Sequence, residues 1–375
     1  MLPEKCHEYE CSGYWGLLPL LILGIVGCSA NLLIMSGPGF TGQSFFFLRA
    51  LSVSDMMYLF FSVGNFIEIM FFKSWSNSWS VAYYSVHWDI VIVNVFINFS
   101  GFLIVILTID RYLCICKPTK ERSNHPTLFT LLAFFTAFVI QLPQFLEEKI
   151  VYDCYRATLN MESCGCSSNN SSSNPCGFIS TVRDNLLSTY PWITYTVLAE
   201  MIAKIIPAII LVILNILMIR GYTAALHRRY RMSHHTKVED LPEGNKKAEK
   251  RKIVSWENIE DNDTKRRKYK RFNRKEKNLI NLLLLLGCVF LVTNIPIAIA
   301  KILLACGYKE EQYFEQFVVL SNVLEVFFAS SNFYLYCLFH GQVRQKVWDK
   351  CSLKDKITST NFVHKINTFE SLKIP

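Results

Sequence analysis

The chain has 375 residues, 51% of them hydrophobic and only 18% charged, with a formal net charge of +9. Soluble domains carry about a quarter charged residues, so this composition excludes an ordinary soluble protein. The Lys and Arg surplus gathers in loops between apolar segments; that is a membrane-topology pattern and gives no reason to expect nucleic acid as a partner.

Seven segments, roughly 17–37, 45–72, 82–113, 127–146, 191–219, 278–305 and 315–339, are long and apolar. About 20 such residues in a helix cross the hydrocarbon core. The expected fold is an all-α membrane protein: a seven-transmembrane helix bundle over 17–339 with a short amphipathic helix after the seventh span. Residues 1–16 are an outer N-terminus, 220–277 a long basic inner loop, and 340–375 an inner tail. The first segment begins close to the start and lacks a basic leader and a small-residue cleavage site, so it is not read as a cleaved signal peptide. No internal repeat is visible. Segment 220–277 holds 19 Lys and Arg against 9 Asp and Glu, and Arg49 and the stretch 117–122 are also basic. The alternate loops, 1–16, 147–190 and 307–316, are acidic. The positive-inside bias puts the N-terminus outside and the C-terminus in the cytoplasm.

Ionisable groups inside a membrane are costly, so each is a functional candidate. The first segment carries Asn31, and the second carries Asp55 in Leu51-Ser-Val-Ser-Asp55 with Glu68 near its outer end. The third carries Asp89 and Ser100 and ends in Asp110-Arg111-Tyr112. Arg111 can pair with Asp110 in one arrangement of the bundle and point into a cavity opened for a partner helix in another. Protonating or replacing Asp110 favours the open state. Asn31, Asp55, Ser100 and Asn332 lie at similar depth. They form either an oxygen-lined pocket for a small cation such as Na⁺ or a hydrogen-bonded packing cluster.

Beyond the fourth segment the outer loop carries Cys154, Cys164, Cys166 and Cys176, which join Cys6 and Cys11 as disulfide candidates on an oxidising face. Their pairing stays open. Cys164-Gly-Cys166 has no accompanying His, which favours a disulfide over a metal site. Asn169 and Asn170 begin overlapping glycosylation triplets in the same loop. Pro207 and Pro296 lie deep in the fifth and sixth segments, where Pro kinks a helix and makes it a lever. Between them, 236–271 is charge-dense without apolar periodicity and is expected to be largely disordered. Phe290 precedes Pro296 by six residues, on the core side below the kink. Near the end of the seventh segment, Asn332 and Tyr336 can exchange hydrogen bonds between states. Residues 342–348 suit an amphipathic helix on the inner lipid leaflet, and Cys351 beyond it is either a palmitoylation site or a free thiol.

In their order and spacing, Asn31, Leu51-x-x-x-Asp55, Asp110-Arg111-Tyr112, Pro207, Phe290 with Pro296, and Asn332-x-x-x-Tyr336 make the chain resemble the rhodopsin-like G-protein-coupled receptors over 15–351. Trp79 matches the family's tryptophan in the first outer loop. Leu142-Pro143-Gln-Phe-Leu-Glu147, Lys204-Ile-Ile-Pro207, Asn294-Ile-Pro296 and Ser331-Asn332-Phe333 are similar to invertebrate FMRFamide and myosuppressin-type neuropeptide receptors. The resemblance implies a plasma-membrane receptor, not an enzyme, that binds an extracellular ligand and activates a heterotrimeric G protein. The chain departs from the family at Val86, where a Cys usually ties the third helix to the second outer loop. Asn294 replaces the sixth-helix Trp, Phe333 a Pro, and Asn215 a frequent Tyr; the fourth-helix Trp is missing.

Val93 stands where amine receptors carry Asp, and Val326 where light-sensing relatives carry the retinal Lys. A small amine and retinal are therefore rejected as ligands. Glu68, Asp89, Glu200 and Glu325 occupy the outer halves of the helices with Trp88, Tyr190, Trp192 and Tyr195. That mouth suits a short amidated peptide ending in Arg-Phe. In the competing reading these acids pair with Lys204 and Lys301. A transporter would show repeats and broken helices, and an enzyme a catalytic cluster; neither is found. A chemosensory seven-helix receptor for a small molecule is the nearer rival.

Overall fold

The structure, a computed structural model, describes residues 16–37, 40, 42–67, 75–76, 79–116, 125–154, 176–182, 189–238, 250–308, 312–339 and 343–345, with little beyond the backbone at 225–276 and in the strands. Among the described residues, seven helices are long and apolar enough to cross a membrane. They are α1 (Leu17–Met35), α2 (Gln43–Ile67), α3 (Trp79–Cys116), α4 (Pro126–Leu146), α5 (190–238), α6 (Lys250–Ala305) and α7 (Gln312–Phe339). The expected seven-helix bundle is the observed one.

The bundle is built with its polar groups inside. Ile22, Leu23, Val26 and Leu33 of α1, Leu131 and Phe135 of α4, and Ile209 and Ile213 of α5 are exposed toward the lipid. Asn31, Asp55, Asn98, Ser100, Thr108 and Asn332 are buried. In lipid, apolar surface gives helices no reason to associate, so close packing of small residues and internal polar contacts must hold them. Gly24 shows this: a Cβ there would come 2.7 Å from both Leu59 of α2 and Ser330 of α7. The central helix is α3, with 13 buried residues between Val91 and Asp110, whereas α4 buries only Ala133, Ala137 and Gln141 and sits at the rim.

Two π turns interrupt the helices, Ser85–Asp89 in α3 and Met201–Ile205 in α5. The second lies two residues before Pro207, whose missing N–H breaks the α-helical ladder at that point. The end of α4 tightens into a 3-10 turn, Leu142–Leu146, at Pro143.

The all-α expectation overlooked a small sheet outside the bundle. β1 (Trp75–Ser76), β2 (Glu148–Cys154) and β3 (Cys176–Val182) pair antiparallel in the order β1-β3-β2. The β2–β3 register runs from Glu148 opposite Val182 to Cys154 opposite Cys176. Ile150, Val151 and Tyr152 in β2 and Phe178, Ile179, Thr181 and Val182 in β3 are the β-branched and aromatic residues that strands prefer. The expected disorder over 236–271 is corrected in part: α5 continues to Val238, and α6 is helical from Lys250. No Gly or Pro occurs between Asn245 and Leu286, and Lys, Arg and Glu are good helix formers. Of the expected amphipathic helix only 343–345 is described; it is helical, with Val343 fully buried.

Candidate functional site

The functional candidates fall at three depths along the bundle axis. At the end nearest the sheet, an ionic chain links five helices. Lys204 Nζ of α5 donates to Glu325 Oε1 of α7 at 2.7 Å and lies 3.8 Å from Glu200 Oε2. Lys301 Nζ of α6 lies 3.4 Å from Glu200 Oε1 and donates to Asn94 Oδ1 of α3 at 3.1 Å. Asn94 Nδ2 then donates to Gln144 Oε1 of α4 at 2.9 Å. Glu200 and Lys204 are each 1% exposed and Glu325 is 6% exposed. A buried charge is tolerated only when paired, and here positive and negative groups alternate. Glu200 and Glu325, expected to face a ligand, are therefore already engaged by the two lysines.

The other expected mouth residues are more scattered. Asp89 is buried in the α3 π turn. Trp192 is buried, its ring 5.2 Å from that of Tyr195, whose hydroxyl donates to the Ile140 carbonyl at 2.7 Å. Tyr190 is largely exposed. Trp88, expected at the mouth, belongs to an aromatic seam whose other members sequence reasoning missed: Phe145 stacks on His87 at 4.5 Å and meets Trp88 in a T-shaped contact at 5.4 Å. His87 Nδ1 also donates to the Phe145 carbonyl at 3.0 Å. Glu147, at the foot of this seam, has its carboxyl pushed up by burial and drawn back by Lys301. A groove of about 640 Å³ opens sideways between α4 and α5, lined by Tyr190, Tyr195 and apolar neighbours. It holds no charged side chain and does not coincide with the ionic chain.

At mid-depth Asp55 is completely buried. Ser100 Oγ donates to its Oδ1 at 2.7 Å, and Asn332 Nδ2 donates to its Oδ2 at 2.6 Å. Asn31 belongs to the same layer but donates to Ser52 Oγ instead of to Asp55. The side-chain oxygens of Asn31, Asn98 and Asn332 and the Tyr336 hydroxyl are buried without hydrogen-bond partners. A carboxylate among orphaned amide oxygens is the donor set a hard cation such as Na⁺ takes.

Level with this layer lies an aromatic contact. Phe290 meets Phe328 of α7 edge-on at 5.6 Å, and a Cβ on Gly101 of α3 would come 3.0 Å from its ring. Asn294, in place of the family's Trp, donates to its own helix, to the Phe290 carbonyl at 3.1 Å and to Thr293 Oγ1 at 3.0 Å. The substitution therefore turns an aromatic contact point into a local tie beside Pro296.

At the far end from the sheet, Asp110 is buried and Arg111 Nε lies 4.0 Å from its Oδ2. Ser44 Oγ of α2 donates to the same Oδ2 at 2.6 Å, a partner sequence reasoning did not find. Tyr112 is half-buried. Asn215 of α5 packs on Gly287 of α6, and Cys116 of α3 on Gly221 of α5; a Cβ on either glycine would collide. Tyr336 is 1% exposed within the core. Val86, Val93 and Val326 lie inside the bundle, Val86 and Val326 buried and Val93 half-buried. Glu68, Cys6, Cys11, Cys164, Cys166, Asn169, Asn170 and Cys351 lie outside the described residues.

A membrane bundle of seven helices, with a buried carboxylate hub and an acid-held arginine at the end of its central helix, defines a seven-helix receptor. The profile of the 7 transmembrane receptor (rhodopsin family) matches residues 32–336, and the chain belongs to that family. It is 22% identical over 317 residues to the probable G-protein coupled receptor AH9.1 of Caenorhabditis elegans, which covers 80% of this chain. To the probable G-protein coupled receptor B0563.6 of the same organism it is 25% identical over 334 residues, covering 86%. The chain spans 66% of the length of each relative.

Proposed function

We propose that the chain is a plasma-membrane receptor, N-terminus outside, that binds an extracellular ligand at the sheet end and activates a heterotrimeric G protein at the Arg111 end. The observation that carries this reading is the Asp110 latch. Asp110 is held by Ser44 of α2 and sits beside Arg111, at the opposite end of α3 from the sheet. Releasing Arg111 from it frees a cation to meet a partner helix, the two-state element a transducer needs. Asn332, Tyr336, Phe290, Pro207 and Pro296 join this latch to the ligand end. Na⁺ at Asp55, Ser100 and Asn332 would favour the resting arrangement.

The ligand we infer is a short amidated peptide with a basic residue beside an aromatic one. The aromatic seam of His87, Trp88 and Phe145 beside buried carboxylates supports it. Val86 leaves α3 without the family's covalent tie to this loop, and a disulfide within the hairpin would cross-link its two strands instead. Cys154 stands opposite Cys176 in the ladder. Opposed Cα atoms in an antiparallel pair are about 4.5–5.5 Å apart, within a disulfide's reach.

The test is expression in cells with confirmed surface delivery, a library of amidated peptides, and calcium and cyclic AMP as readouts. A potent response lost in Arg111→Ala, with surface level kept, supports the reading. Silence toward peptides with a response to small odorants would favour the chemosensory alternative.

A further inference from the structure

The ionic chain sets two lysines against two carboxylates, and its geometry is uneven. Lys204 is fully enclosed between two carboxylates, bonded to Glu325 at 2.7 Å and 3.8 Å from Glu200. That second distance is too long for a hydrogen bond. Glu200 Oε2, itself buried, has no hydrogen-bond partner. One ammonium thus serves two acids and satisfies only one of them. A guanidinium, with five donors in a planar fork, could serve both.

We propose that Glu200 and Glu325 form the receiving site for the positive group of the ligand, and that Lys204 fills this site in the resting state as a tethered substitute cation. A ligand guanidinium displaces Lys204, satisfies Glu200 Oε2, and breaks the only direct ion pair between α5 and α7 among the described residues. The π turn Met201–Ile205 carries Lys204, and its altered helical register sets where this side chain stands relative to Glu200. Freed from α7, α5 can move with α6 away from Arg111. The same structure keeps Asp110 beside Arg111, so the Lys204–Glu325 pair belongs to the resting arrangement. This inference rests on the receptor reading above.

The experiment measures ligand-free signalling of the full chain at matched surface levels. Lys204→Ala and Glu325→Ala are compared with the charge-exchanged double variant, Lys204→Glu with Glu325→Lys, and with Asp110→Asn as a coupling control. Each single variant should raise ligand-free signalling about five-fold or more, the effect of losing about one kcal/mol of resting-state preference. The exchanged pair should return part of the way to the wild-type level, since the carboxylate it sets at position 204 also faces Glu200. Unchanged signalling in both single variants, while Asp110→Asn is raised, overturns the proposal but leaves the receptor reading standing. Unchanged signalling in Asp110→Asn as well defeats that reading and this proposal with it. An exchanged pair as active as the single variants also overturns it. If Lys204→Ala does not reach the surface, Lys204→Met is read in its place. Single variants retained inside the cell, with the exchanged pair delivered and quiet, would make the pair a folding tie only and overturn the proposal.

Discussion

Asp110 accepts a hydrogen bond from Ser44 at 2.6 Å and lies 4.0 Å from Arg111, so it is held from α2 as well as by its neighbour. Ser44→Ala should weaken the latch and raise ligand-free signalling, by less than Asp110→Asn does, because one hydrogen bond to a charged group is worth about 1.5–3 kcal/mol. Guanine-nucleotide exchange in membranes from the two variants checks this order. Gly101 makes a packing prediction. A side chain there meets Phe290, so Gly101→Val should overpack the core by about 1–3 kcal/mol and lower the melting temperature of the detergent-solubilised receptor. Phe290→Leu in the same background should recover part of that loss, since contacting sites couple. Asp55→Asn tests the cation. Replacing choline with Na⁺ should stabilise the wild type and leave the variant's melting temperature unmoved.

At the scale of elements, the seven spans were legible because apolar length is a coarse signal that any membrane helix must give. The switch residues were legible because an Asp55 or Arg111 within a membrane-spanning helix needs a reason. Ser44 and Asn94 were not, because a small polar residue in a helix shows no sign of which neighbour it faces. The pairing of Glu200 and Glu325 with Lys204 and Lys301 was legible as the competing reading of the mouth, since two lysines among buried acids imply pairing. The two π turns leave no composition signature. The strands were missed because 148–154 and 176–182 were read as loop, and only their mutual pairing makes them a sheet. The inferred tie between those strands is testable by peptide mapping without reduction. A fragment joining Cys154 to Cys176 should appear, and Cys154→Ser and Cys176→Ser should cut surface delivery equally and without adding. Cys176 joined to Cys6 or Cys11 would refute it.

At the scale of the whole molecule, the ionic chain at one end and the Asp110 latch at the other are joined by α3, α5 and α6. Pro207 and Pro296, each removing a backbone donor inside its helix, give α5 and α6 places to bend. Between the two ends lies the Asp55 layer, whose orphaned oxygens can change partners without unfolding a helix. The measurement that tests the account most directly is nucleotide exchange on heterotrimeric G proteins, driven by membranes bearing wild type, Asp110→Asn, and Asp110→Asn combined with Arg111→Ala, at equal receptor density. Exchange should rise in Asp110→Asn and fall back to background when Arg111 is also removed. Exchange equal in all three preparations would contradict the claim that Arg111, released from Asp110, is the group that engages the G protein.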